Sequence, residues 1–188
     1  GFHSIKSIND LCNSSNLFLN NISIISSQGG SIRCFISKKK NKSKLLLKYL
    51  SIEKSSKIYK LSSWLRFSNL VYKHKDKMHN MISEINNKGK SVSVYGASGK
   101  GQIFLQFCNL NHKLINKAYD KNTSKIGKFT PGTLIKICDP KNILIDFPDY
   151  LLLTSWNIKE EIIKQEYKYI KAGGKIIIPF PVPKILKL

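Results

Sequence analysis

Arginine is nearly missing from this chain. Of its 32 basic residues only Arg33 and Arg66 are arginine, and 11 acidic residues leave a formal net charge of +21. A dedicated nucleic-acid binder leans on Arg for bidentate phosphate and guanine contacts, so specific nucleic-acid recognition is not expected. The bias instead accompanies 26 Ile, 16 Asn and 3 Ala, because Lys, Ile and Asn are the residues of AT-rich codons. The lysines still predict loose, salt-sensitive attraction to polyanions. Cysteine is sparse as well. Cys12, Cys34, Cys108 and Cys138 stand far apart, which argues against a zinc knuckle, a redox CxxC and a disulfide scaffold, and makes a reducing cytoplasm the expected compartment. There is no apolar run of 18 residues, so no membrane span is expected, and residues 1–4 do not read as a secretory signal. His74 and His79 lie five apart with no carboxylate placed to complete a site. They read as surface histidines, and no metal site is expected.

What remains is apolar patterning. Hydrophobic residues make up 41% of the chain and charged ones 23%, too apolar for disorder and enough for a core. Residues 1–40 open with Ile5, Ile8 and Leu11–Cys12 at helical spacing, ending near Asn16. Two alternating runs, 19–25 and 32–36, flank Gln28-Gly29-Gly30 and predict an antiparallel pair. A helix and two strands cannot bury their own apolar faces, so this stretch calls for a larger sheet. Lys38-Lys39-Lys40-Asn41-Lys42 reads as a solvated linker, and residues 41–90 continue with a short apolar helix or turn at 45–50. One long helix follows, from about Trp64 to Asn86, stopped at Gly89.

Residues 91–188 alternate strand and helix. Strands are predicted at 91–95, 114–119, 134–137, 150–154 and 175–178, with helices at 102–108 and 158–170. Asp139-Pro140 reads as a helix start, and Asn157 with Glu160 as a capping box. Val/Ile-rich strands alternating with helices predict an α/β fold, a parallel sheet with helices on both faces. Three loops then follow strands at its carboxyl edge. Gly96, Gly99 and Gly101 after the first strand form either a tight strand–helix turn or a phosphate cradle with Lys100. Asp120 ends the next strand, either as a turn aspartate or as a carboxylate for ribose hydroxyls. A polar loop with Asn122, Lys125, Pro131 and Gly132 follows it, and Pro-Gly fits a type II turn. Trp156-Asn157 follows the fourth strand, either as a core indole and a cap or as a stacking surface and a hydroxyl reader.

Taken together, Tyr95-Gly96-Ala97…Lys100-Gly101, Asp120-Lys121-Asn122…Lys125…Gly127…Pro131-Gly132, Pro148-Asp149-Tyr150, Trp156-Asn157…Glu160-Glu161-Ile162 and Gly173-Gly174-Lys175…Pro179-Phe180-Pro181 resemble, in order and spacing, the C-terminal domain of SAM-dependent sugar C-methyltransferases. Upstream, Gln28-Gly29-Gly30-Ser31-Ile32-Arg33 is similar to the His-Gly-Gly-Ser-Leu-Arg-type segment that ends the family's methyltransferase domain, with Gln28 in place of the usual His. The resemblance covers nearly the whole chain, Phe2 to about Pro181. It implies a Rossmann-like domain at 91–188 that binds a nucleoside-diphosphate deoxysugar. Residues 1–40 would be the last helix and hairpin of a class I methyltransferase sheet. In the complete enzyme a base would remove a proton beside a sugar keto group, and the carbanion would take the methyl of SAM.

The resemblance further implies that the zinc module and most of the SAM-binding domain are absent, that His3 is not the base, and that this chain alone binds no SAM and is inactive. A separate chain carrying the SAM-binding domain is one expected partner; a membrane and a specific nucleic acid are not. Substrate contacts are expected from Tyr95, Gly96, Lys100, Gly101, Asp120, Asn122, Lys125, Pro131, Gly132, Trp156 and Asn157, with no catalytic residue assigned. Two other readings stand beside this one: a non-catalytic nucleotide-binding module from a split or decayed gene, and a nicotinamide-dependent oxidoreductase. The G-x-x-G-x-G spacing, which is not G-x-G-x-x-G, counts against the second.

Overall fold

A computed structural model describes residues 3–27 and 30–186. Gln28, Gly29 and Phe2, which carry part of the upstream resemblance, lie outside the described residues. The chain divides into two compact units, Gly1–Asn69 and Leu70–Leu188. Among the described residues no helix is long and apolar enough to cross a membrane.

In the first unit, α1 (Ile5–Ser14) and α2 (Lys44–Ser55) cover one side of an antiparallel pair, β1 (Phe18–Ile25) and β2 (Ser31–Ser37). Ser4 caps α1 through Ser7 N–H. Glu53 of α2 adds a carboxylate that accepts from the N–H groups of Ile5 at 2.6 Å and Lys6 at 3.0 Å, where the helix dipole favours negative charge. The core is small: Ile5, Cys12, Leu19, Ile22 and Leu46. Residues 38–42 are less free than a solvated linker, because Asn20 bonds Lys39 C=O and Asn41 N–H at 2.8 and 2.7 Å. Ile24, Ile32, Phe35 and Ile36 of the hairpin remain exposed, so the pair has apolar surface that its own unit does not cover. A further helix, α3 (Leu61–Asn87), begins in the first unit and ends in the second. Gly89, at φ +70, terminates it as its sequence predicts.

The second unit is a six-stranded sheet in the order β5 (Ile137–Cys138), β4 (Ala118–Tyr119), β3 (Val92–Tyr95), β6 (Tyr150–Leu153), β7 (Lys175–Ile178), β8 (Lys184–Leu186). The first five strands are parallel and β8 is antiparallel. Period-2 alternation sorts the two faces. Val92, Val94, Leu152 and Ile177 pack with Met78, Ile82 and Ile85 of α3 and with Phe104 and Leu105 of α4 (Gly99–Phe107). Tyr95, Leu151, Leu153, Ile176 and Ile178 face the other side, covered by α5 (Ile143–Asp146), α6 (Lys159–Gln165) and α7 (Tyr167–Lys171). Burial on both faces is why these strands read as continuous apolar runs.

Four expectations shift. The strand at 114–119 pairs as a ladder only at Ala118–Tyr119. The strand at 134–137 moves to Ile137–Cys138, because Leu134 is drawn to φ +54 by a turn whose N–H reaches Thr130 C=O. The helix at 158–170 breaks at Glu166, whose ψ of 21° leaves the helical path, and its start is a short 3-10 turn over Trp156–Ile158. Asn157 makes no cap there: α6 begins after Ile158, with no side-chain hydrogen bond at its cap. Strand β8, between prolines and the chain end, has no counterpart in the sequence pattern. Asp139 does cap the Pro140 turn, accepting from Lys141 N–H at 2.9 Å.

Candidate functional site

Strand order decides where a site can form. The connection from β3 leads through α4 to β4 on one side, whereas β6 leads through α6 and α7 to β7 on the other. Between β3 and β6 the strand order therefore reverses, which makes the carboxyl edge there a topological switch point, the place where open α/β sheets bind ligands.

The turn after β3 is tightly built. Gly96 has φ +100, and a Cβ there would overlap Ser155 Oγ. A Cβ on Gly101 would lie 2.8 Å from Thr154 Cβ. Both glycines thus admit the Thr154-Ser155 loop, and Thr154 Oγ1, fully buried, bonds the carbonyls of Tyr95 and Gly96. Ser98 caps α4 through Gly101 N–H at 3.3 Å. The N–H groups of Gly99 and Lys100 stand at the helix start without an intrahelical partner, and the Lys100 side chain is exposed.

Asp120 is brought to this turn. Its Oδ2 accepts from Ala97 N–H at 2.7 Å, and its Oδ1 from Asn122 N–H at 2.8 Å. Lys125 Nζ reaches Ala97 C=O at 3.1 Å and Asp120 at 3.3 Å. Burial pushes the Asp120 carboxyl up. The N–H groups of Asn122 and Ala97 and the Lys125 ammonium outweigh it and hold the carboxyl below its ordinary range. The Asn122 side chain turns back onto Ser124. Pro131 and Gly132 meet α4 instead: Gln106 donates to Pro131 C=O at 3.2 Å, and a Cβ on Gly132 would strike the Gln106 amide. That contact is more than a helical turn beyond Gly101.

Tyr95 points to the opposite sheet face. Its hydroxyl reaches Gln165 Oε1 at 3.4 Å, and burial with the nearby Glu166 carboxylate pushes its pKa up. Glu166 is itself pushed up by burial, against the pull of Tyr95 and Lys121.

Trp156 is half-buried in a ring cluster, 4.6 Å from Phe180 and 6.0 Å from Phe104 between centroids. Asn157 beside it is exposed. His74 of α3 stacks on Phe180 at 4.7 Å and 6° between planes, with Nε2 buried and unpartnered among the described residues. Burial, and then Lys77, depress its pKa. His79 bonds Cys108 C=O at 3.1 Å. Neither histidine is a free surface group, which corrects their reading from sequence. Each is held by residues that only folding brings near. Thr154, Ser155 and Phe104 have no role in the reading from sequence, and Phe180 enters it only within the Pro179-Phe180-Pro181 motif. For Thr154 and Ser155 the one signal is the need of Gly96 and Gly101 for a close neighbour.

Residues 26–181 match the family described as the C-methyltransferase C-terminal domain. The chain belongs to that family. It is also similar to the C-methyltransferase NovU of Streptomyces niveus, 32% identical over 137 residues that cover 73% of this chain and 33% of that protein. The chain therefore spans about a third of the length of the curated relative it matches. The matched stretch takes in the hairpin strand β2, all of α3 and the second unit through the ring of Phe180.

Proposed function

We propose that this chain is the nucleotide-sugar-binding part of a SAM-dependent sugar C-methyltransferase, holding a nucleoside-diphosphate deoxyketosugar so that one carbon faces the methyl donor. One observation carries the reading. In a chain of this family, the loops after β3 and β6 meet at the switch point, and they offer a cationic helix start at Lys100 and an indole at Trp156. Helix N-terminus and ammonium suit a diphosphate, and Trp156, braced by Phe104 and Phe180, suits the flat face of a base or sugar. SAM supplies the methyl group. Its site is assigned to another part of the enzyme, on the same or a separate chain. The Gly96 turn does not fit the donor, because Thr154 and Ser155 already fill the space beside its glycines. The compartment of this reading is the cytoplasm, where nucleotide sugars are made.

Calorimetric titration with a nucleoside-diphosphate sugar tests the reading, together with mass spectrometry of nucleotide sugars retained on purification. Lys100→Ala should weaken binding by about 1–2 kcal/mol, the worth of a charge-assisted contact, whereas Lys40→Ala in the first unit should not. Equal small losses at both lysines would mean that bulk charge explains the binding. Micromolar binding of SAM by this chain would overturn the assignment of the donor elsewhere.

A further inference from the structure

Ala97 is held at both of its backbone polar groups by charged side chains from the following loop. Its N–H donates to Asp120 at 2.7 Å, its C=O accepts from Lys125 Nζ at 3.1 Å, and the two charges meet at 3.3 Å. The preceding residue is equally engaged. Gly96 N–H donates to Tyr119 C=O at 2.7 Å, and Gly96 C=O accepts from Thr154 Oγ1. Every backbone polar group of Gly96 and Ala97 therefore has a partner inside the domain. Neither oxygen of Asp120 is without a backbone N–H, because Asn122 occupies the second at 2.8 Å. A carboxylate committed in this way is poorly placed to read ligand hydroxyls. It is well placed to fix a peptide group, since hydrogen bonds to a charged acceptor are short and directional.

We propose that Asp120 and Lys125 are positioning residues: as a pair they clamp the turn at Ala97, and so set the direction in which Lys100 and the first turn of α4 face the bound diphosphate, without touching the ligand themselves. This rests on the nucleotide-sugar reading of the same edge. It replaces the hydroxyl-binding role expected of Asp120 from sequence. Lys125, two-point bonded to Ala97 C=O and Asp120, likewise acts through the turn. Removing either partner leaves the other charge half-buried and frees the Ala97 peptide, so the two substitutions should not add.

The experiment titrates inorganic pyrophosphate, UDP and UDP-glucose into the full chain and into Asp120→Ala, Asp120→Asn, Lys125→Met and the Asp120→Ala/Lys125→Met double variant, and follows amide exchange at Ala97. Each single removal should weaken all three probes by the same factor, about tenfold for one lost charge-assisted bond. The double variant should be no weaker than Asp120→Ala, and Asp120→Asn, which keeps an oxygen for Ala97 N–H, should recover part of the loss. Exchange at Ala97 should quicken while the amides of Leu151–Leu153 stay slow, which shows that the sheet remains folded. A loss confined to UDP and UDP-glucose would make Asp120 a hydroxyl contact and overturn the proposal, as would additive losses. Unchanged exchange at Ala97 in folded variants would overturn the clamp alone. A wild-type chain that binds none of the three probes would overturn the nucleotide-sugar reading, and the positioning role with it.

Discussion

Two glycines in the same helix should respond to alanine with opposite signs. Gly99 and Gly101 both lie in the first turn of α4, and neither has a positive φ. On propensity alone each Gly→Ala change should stabilise by about 0.5–1 kcal/mol, by lowering the backbone entropy of the unfolded chain. At Gly99 nothing lies within 4 Å of the new Cβ, so that gain should appear. At Gly101 the Cβ would sit 2.8 Å from Thr154 Cβ and 3.1 Å from Thr154 Oγ1. Thr154 cannot swing away. It is buried, β-branched, and bonded to the carbonyls of Tyr95 and Gly96. Relieving the overlap means moving α4 off the β6 loop, and overpacking of this kind costs about 1–3 kcal/mol. The clash therefore outweighs the gain, and Gly101→Ala should destabilise by about 1 kcal/mol at the midpoints of the two terms, whose difference spans roughly 0–2.5. Urea unfolding in a Trp64→Phe background measures this, because Trp156 then reports the second unit alone. Alanine variants that shift the midpoint in the same direction would refute the close approach of Thr154 to Gly101.

His74 should make the second unit acid-sensitive above the carboxylate range. Burial and Lys77 lower its pKa in the fold from the ordinary 6.5, so the folded state prefers the neutral ring. Its contribution is present above pH 6.5 and is lost as pH falls from there through the folded pKa. Urea midpoints at pH 7.5 and 5.5 should diverge in the wild type and converge in His74→Phe; equal divergence in both would exonerate His74. Hydrogen exchange should start early in β1 and β2, whose apolar residues Ile24, Ile32, Phe35 and Ile36 are exposed, and late in β3, β6 and β7. Uniform protection across both units would contradict the small core assigned to the first.

The sequence alone determined the class of fold and the family. Near-continuous Val/Ile-rich runs separated by helical stretches read as a parallel sheet covered on two faces, because a strand buried on both faces has few positions left to be polar. Glycines at 89 and 96 marked a helix end and a strand end, since side chains rarely adopt φ values of +70° and +100°. The motifs from Tyr95 to Pro181 carried the resemblance to C-methyltransferases, and the comparison with that family bore it out. Tertiary structure decided what local pattern cannot encode. Strand order placed the switch point between β3 and β6, whose ladder joins residues more than 50 positions apart. The short ladders at β4 and β5 depend on strands brought together from other segments, while β8 folds back on the nearby β7 without a pattern that marked it. At the site, Asp120 was legible as a carboxylate at a strand end. Its attachment to Ala97, 23 residues away, was not. Likewise Gly101 announced that something must come close, and only the packed β6 loop showed that the something is Thr154. A residue type states which bonds a side chain can make, while its partner is chosen by whichever distant groups the fold brings within three ångströms.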